Sequence, residues 1–214
     1  MFEGHYVDWR NSRITTVQKY INTTFFKNKT MIELGGGKGH IGNAFSEMGC
    51  KVTSTEVRGE HIDVGKEIHP SLDFELFDCN TQHLEKHYDI VLHWGVLYHI
   101  ENVKSHLENV LGHCDYLFLE TEVLDSDESE CILVNENGYD QAYHKVGSRP
   151  SVTYIEDILD SAKFLYRRLD NASLNSSFHR YDWLPQNQRN YADGMRRFWI
   201  CWKAKVPCPF EHKS

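Results

Sequence analysis

Glu33-Leu34-Gly35-Gly36-Gly37-Lys38-Gly39 is the stretch on which the fold turns. Residues 31–34 read as a short apolar strand that runs straight into glycines. Apolar side chains then recur at Ile41, Ala44, Phe45 and Met48, which is helical spacing. Glycine permits a tight turn and lets a ligand approach the backbone. The following helix offers free N–H groups at its start. Strand, glycine turn and helix together open a sheet that binds ligands at its carboxyl edge. A phosphate-cradling P-loop needs Ser or Thr after its lysine, but Lys38 is followed by Gly39, so that pattern fails. A dinucleotide site needs GxGxxG, and residues 37–42 match it, with Glu56 in place for a ribose.

Outward from this turn the chain alternates. Strands are expected at 51–56, 74–77, 88–94 and 116–120, with helices at 41–48, 60–68 and 100–111. A helix follows at 154–162, with Thr153 as its cap and Glu156 completing a capping box. Two late strands fall at 164–169 and 198–204. An N-terminal helix is expected within residues 8–25, clearest at 11–20. The pattern predicts an α/β fold: a doubly wound, mostly parallel seven-stranded sheet, Rossmann-like, in one domain over residues 1–214. Residues 122–150 and 171–196 break the alternation as long polar insertions, which in a compact domain are usually functional.

Composition narrows the function. The chain has 214 residues and a net charge of −8, with no apolar run long enough to span a membrane. A uniformly basic nucleic-acid binder is excluded. Residues 1–161 carry 13 Lys and Arg against 27 Asp and Glu, whereas residues 162–214 carry 10 against 4. That late basic segment either meets an anionic substrate or pairs with the acidic body of its own domain. Met1-Phe2-Glu3-Gly4-His5 has no basic-then-apolar character, so no signal peptide and a cytoplasmic location are expected. Six cysteines lack CxxC spacing and read as free thiols. His83 and His87 are four apart but lack the partners of a zinc site, so no metal is expected.

The acid ahead of the glycines adds a third reading of the turn. E-x-G-x-G-x-G resembles the first motif of class I S-adenosylmethionine-dependent methyltransferases. The resemblance implies that Glu33, Gly35, Gly37 and Gly39 shape the cofactor loop. It implies that Glu56 holds the ribose and that Asp78, with Cys79 beside it, contacts the adenine. Gly95 and His93 follow at the end of the fourth strand, and Arg13 offers a bidentate partner for the methionine carboxylate. The run Gly95-Val96-Leu97-Tyr98-His99 is similar to the tRNA uridine carboxymethyltransferase family and its methyltransferase relatives. So are Leu119-Glu120-Thr121, Arg149-Pro150-Ser151, and Asp8-Trp9-Arg10 with Arg13. This narrower resemblance covers about residues 8–165 and implies S-adenosylmethionine or its carboxylated derivative as donor.

The candidate catalytic residues are His93, Tyr98 and His99, with Glu122 as a further base. His93 and Trp94 read equally as an aromatic cluster under the cofactor, and His99 as a solvated helix-start histidine. No Asn-Pro-Pro-Tyr or Asp-Pro-Pro-Tyr follows the fourth strand, so DNA amines are not expected acceptors, and Pro207-Cys208 lies too late to matter. The first insertion holds Asp125, Asp127, Glu128, Glu130, Tyr139, Tyr143, His144 and Arg149. The second holds His179, Arg180, Tyr181, Trp183, Arg189, Tyr191 and Arg196, with Arg197 beyond. Such aromatics and arginines either contact an anionic small molecule or RNA, or form an ordinary lid core. A methyltransferase is the leading reading. A nicotinamide-dependent oxidoreductase and a non-catalytic nucleotide-binding module are the alternatives.

Overall fold

A computed structural model of the chain describes residues 3–138, 141–192 and 194–210, the side chains of 3–5 excepted. In chain order the strands are β1 (Thr30–Glu33), β2 (Lys51–Glu56), β3 (Asp73–Leu76), β4 (Tyr88–Trp94), β5 (Cys114–Glu122), β6 (Cys131–Asn135), β7 (Val146–Pro150), β8 (Phe164–Arg168) and β9 (Arg196–Lys203). The helices are α1 (Glu3–Tyr20), α2 (His40–Glu47), α3 (Gly59–Ile68), α4 (Val103–Gly112) and α5 (Val152–Ser161). Seven strands form one sheet in the order β3-β2-β1-β4-β5-β9-β8. Neighbours from β3 to β5 are parallel, and β9 runs antiparallel between β5 and β8. This is the doubly wound, mostly parallel sheet that the sequence predicts.

Alternation along the central strands builds two cores. On β4, Ile90, Leu92 and Trp94 join Val17 of α1 and Phe45 of α2 on one face. Val91 joins Leu107 of α4 and Leu159 of α5 on the other. On β9, Phe198 and Ile200 share the first face, and Trp199 and Cys201 the second. Because β1 lies between β2 and β4, the winding reverses there. A crevice at the carboxyl ends of β1 and β4 follows from that reversal.

Several boundaries move for local reasons. The N-terminal helix stops at Tyr20, because Asn22 accepts the backbone N–H and the hydroxyl of Thr24 and starts a separate 3-10 turn at Thr23–Phe26. The cap of α5 is Ser151 rather than Thr153: its hydroxyl oxygen accepts the Tyr154 N–H at 3.1 Å. Glu156 completes no capping box and instead accepts from Arg168 and the Trp199 indole. The first insertion contains the antiparallel hairpin β6–β7 rather than irregular chain alone. The second stays mostly irregular, pinned where the Asp125 carboxylate accepts the N–H groups of Gln186, Asn187 and Gln188. No helix among the described residues is long and apolar enough to cross a membrane. Tyr139 lies outside the described residues.

Candidate active site

At the winding reversal lies a cleft of about 390 Å³, lined by the glycine turn, the ends of β2 and β4, and Tyr6, Trp9 and Arg10 of α1. Gly37 and Gly39 both take positive φ, 57° and 76°, for different ends. A Cβ on Gly39 would stand 2.6 Å from Phe74 and 2.8 Å from Leu72, so Gly39 serves the packing of α2 and does not line the cleft. A Cβ on Gly37 would meet nothing within 4 Å. The backbone at Gly37 is bare toward the open cleft, as close ligand approach requires. Gly35 and Gly95 also line the cleft.

Glu33 lies buried beneath this turn. Its carboxylate accepts the Gly42 N–H at 3.1 Å and the Ser54 hydroxyl at 2.5 Å, tying β1 to α2 and β2. Burial pushes its carboxyl up to about 7, against the pull of those hydrogen bonds and with a further push from Glu56. Unfolded, the group titrates at its ordinary 4.5. Its protonated form therefore stabilises the fold fully below 4.5, and that stability is lost as pH rises through about 7. The shift corresponds to about 3 kcal/mol. Glu33→Gln, whose amide can donate to Ser54 and accept from Gly42, is expected to flatten this slope. Denaturant unfolding at about pH 5 and about pH 8 reads it, and an unchanged slope in the variant would contradict it.

Glu56 ends β2 at the cleft. One carboxylate oxygen accepts the N–H groups of Val57 and Arg58, the other that of Gly37, all at 3.0 Å. A carboxylate has about four acceptor positions, so the oxygen on Gly37 keeps one. Asp78 accepts the Asn80 N–H at 2.9 Å and the Thr81 hydroxyl at 2.9 Å, and pairs with His144 at 2.8 Å. Burial raises its pKa, but these donors outweigh burial and hold it below the usual range. Cys79 also lines the cleft, and burial pushes its thiol up to about 12, so it is no thiolate. The β6–β7 turn spans this side. His144 reaches Asp78, the Arg58 guanidinium donates to the Gln141 carbonyl at 2.8 Å, and Tyr143 and Gln141 line the cleft.

The cleft is also lined by Tyr6, Trp9, Arg10, Trp94, His179 and Arg196, and by Tyr98 and His99, whose carbonyl accepts from Asn80. Tyr98 and His99 sit on a 3-10 turn after β4. Burial pushes the Tyr98 phenol up to about 12, partly offset by Arg196, so Tyr98 is a hydrogen-bond donor and not a base near neutrality. The His99 Nδ1 pairs with Glu136, while Nε2 has no hydrogen-bond partner among the described residues.

Besides Gly39, three expected site residues lie off the cleft. His93 is fully buried on the α4 face, its Nε2 2.8 Å from the Nε2 of His106, and does not line the cleft. Burial and the neighbouring His106 hold its pKa well down, so it stays neutral in the core. Strand alternation is the reason: His93 shares its face with Val91. Arg13 is likewise fully buried; it stacks on Trp9, pairs with Glu120 at 3.4 Å and bonds Tyr181. Arg10, one helical turn earlier, is the α1 arginine that lines the cleft. Glu122 also misses the cleft, held by Arg149 at 2.9 Å and Arg196 at 3.1 Å.

The basic C-terminal segment is largely consumed inside the chain. Arg196 pairs with Glu120 and Glu122, Arg189 with Glu130, and Arg168 with Glu156 and Asp170. Arg197 lies over the Trp183 ring and donates to the Tyr181 and Trp183 carbonyls. Of the segment's arginines only Arg196 lines the cleft. Pairing with the acidic body, the blander of the two readings, is what the structure contains.

Comparison with known proteins agrees with this geometry. A family model described as a methyltransferase domain matches residues 6–167, and the chain belongs to that family of methyltransferases. The candidate methyltransferase 235L of Invertebrate iridescent virus 6 is 28% identical over 105 residues, 47% of this chain and 40% of that protein. The chain thus spans two-fifths of that relative's length. Among solved structures, the N-terminal domain of EvdMO1, crystallised in the presence of SAH and D-fucose, superposes with a TM-score of 0.69. It is 16% identical, with 92% of this chain and 83% of that one covered. An S-adenosylmethionine-dependent methyltransferase from Mesorhizobium loti gives 0.61 at 13% identity, with 83% and 92% covered. Both share the sheet described above.

Proposed function

We propose that the cleft binds S-adenosylmethionine and that the protein methylates an O–H or N–H group of a small molecule, with His99 as general base. The observation that carries the cofactor reading is Gly37, whose missing side chain leaves bare backbone between the Glu56 carboxylate and open cleft. Glu56 fits the ribose hydroxyls through its remaining acceptor position, and Asp78 with the Cys79 backbone fits the adenine. Gly35, Gly37 and Gly95 shape the walls, and Glu33 braces the turn from below. Arg10 replaces Arg13 as the α1 cation facing the cleft.

S-adenosylmethionine, when bound, supplies a methyl group on a sulfonium, already activated for in-line displacement. The protein's part is then to position the acceptor and remove its proton. His99 Nε2 accepts that proton from the attacking heteroatom. Tyr98 donates a hydrogen bond, held in place by Arg196 at 3.1 Å. The 171–196 segment lines the acceptor side through His179 and Arg196.

A small acceptor is favoured over RNA because the arginines that would track a phosphate backbone are already paired. The plain donor and its carboxylated derivative differ by one carboxylate, which a cleft cation would have to meet. Mass spectrometry of the cofactor that co-purifies separates the two donors. A screen of acceptors with labelled donor tests turnover; tight cofactor binding with every acceptor inert would favour a non-catalytic module.

Gly37→Ala gives a direct test of the cradle. Its positive φ costs the fold only about 1 kcal/mol, and the added methyl clashes with nothing in the chain. The expected result is a cooperative unfolding transition close to the parent's with affinity for S-adenosylhomocysteine weakened at least about tenfold. Unchanged affinity would remove Gly37 from the binding surface.

A further inference from the structure

We infer that Glu136, in the turn between β6 and β7, is the positioning residue that keeps His99 in its basic tautomer. The inference rests on the proposed role of His99 but concerns a different residue on a different element. Glu136 is 5% exposed, and its carboxylate meets three groups. One oxygen pairs with Arg149 at 2.8 Å; the other accepts the Ala142 N–H at 3.0 Å and contacts the His99 Nδ1. A carboxylate here can only accept, so Nδ1 must carry a proton, and in the neutral ring Nε2 is then left bare. In water a neutral histidine has no such constraint.

The surrounding network is charge-balanced without His99. Three arginines, Arg13, Arg149 and Arg196, and three glutamates, Glu120, Glu122 and Glu136, form one connected buried chain. Their charges cancel. Tyr98 and Tyr181 join this chain by hydrogen bonds; Tyr98 lies against Arg149 and Arg196, and its phenol stays protonated. The groups facing His99 are Glu136 from the hairpin turn, the neighbouring Tyr98 ring, and Asn80, which donates to the His99 carbonyl. Arg149 pairs with Glu136 as well, so the network's charges cancel with a neutral His99. A neutral, oriented imidazole is the state a general base needs. The turn therefore does two things at once: His144 reaches Asp78, and Glu136 holds His99 through the same oxygen that accepts the Ala142 N–H.

Nitrogen-15 NMR of the imidazoles in the whole protein tests this without any acceptor. His99 resonances are assigned by their loss in His99→Gln. The expected spectrum near neutral pH has Nδ1 protonated and the downfield, unprotonated shift on Nε2. In Glu136→Ala the downfield shift is expected to move to Nδ1 as the Nε2–H form takes over. Arg149 keeps Glu122 and the Tyr98 carbonyl in that variant, which supports folding. If Glu136→Ala nonetheless fails to fold, the parent spectrum alone decides. Two protonated nitrogens at neutral pH, an Nε2–H tautomer in the parent, or no change in a folded Glu136→Ala would each overturn the assignment. Failure of cofactor binding would leave this spectrum untouched, so the two readings fail separately.

Discussion

Glu56→Ala is expected to weaken S-adenosylhomocysteine binding by about 10²–10³-fold. Hydrogen bonds to a charged group contribute about 1.5–3 kcal/mol each, and two losses occur together. The first is the acceptor offered to the ribose. The second is the anchor of the loop, because the same carboxylate holds the N–H groups of Gly37, Val57 and Arg58. The variant also orphans those three donors, so a lower unfolding midpoint accompanies the loss. Glu56→Gln separates the two effects: it keeps one accepting oxygen for the loop but puts a donor in place of the other. Calorimetric titration of both variants reads the difference. A large fall in midpoint with affinity unchanged would reduce Glu56 to a loop anchor.

His99→Ala is expected to lower kcat by about 10²–10⁴-fold on an acceptor found with labelled donor. The affinity for S-adenosylhomocysteine should hold within about threefold, because the His99 imidazole pairs with Glu136 and bonds neither Glu56 nor Asp78 among the described residues. Its cavity is small and its neighbours Tyr98 and Glu136 remain tied to Arg196 and Arg149, so the fold survives. An acceptor methylated at the parent rate by this variant would mean that positioning alone suffices.

Much of the fold was legible because buried parallel strands are apolar on both faces. The runs at Ile90–Val91–Leu92 and Leu117–Phe118–Leu119 admit little else, and all lie in the core. The hairpin β6–β7 was hidden because the short apolar run Cys131-Ile132-Leu133-Val134 follows four acids within six residues, and its exposed Leu133 gives no clean alternation. The glycine turn and the strand-end acids were legible as local features: each is a residue type at a place in an element. The acceptor end was not. His99 meets Glu136 across 37 positions, Arg58 meets Gln141 across 83, and Arg13 meets Glu120 across 107. Nothing local marks such pairs. Arg13 and Arg10 differ by one helical turn, and only packing tells which faces the core. His93 is a different case, since strand alternation alone sets it beside Val91 and away from the strand's open end.

The most direct test of the central claim is calorimetric titration of the purified protein with S-adenosylhomocysteine, with NADH titrated in parallel. Saturable one-site binding of S-adenosylhomocysteine, lost in Glu56→Ala and absent for NADH, is the expected result. No heat from S-adenosylhomocysteine or S-adenosylmethionine, or saturable binding of NADH instead, would contradict it.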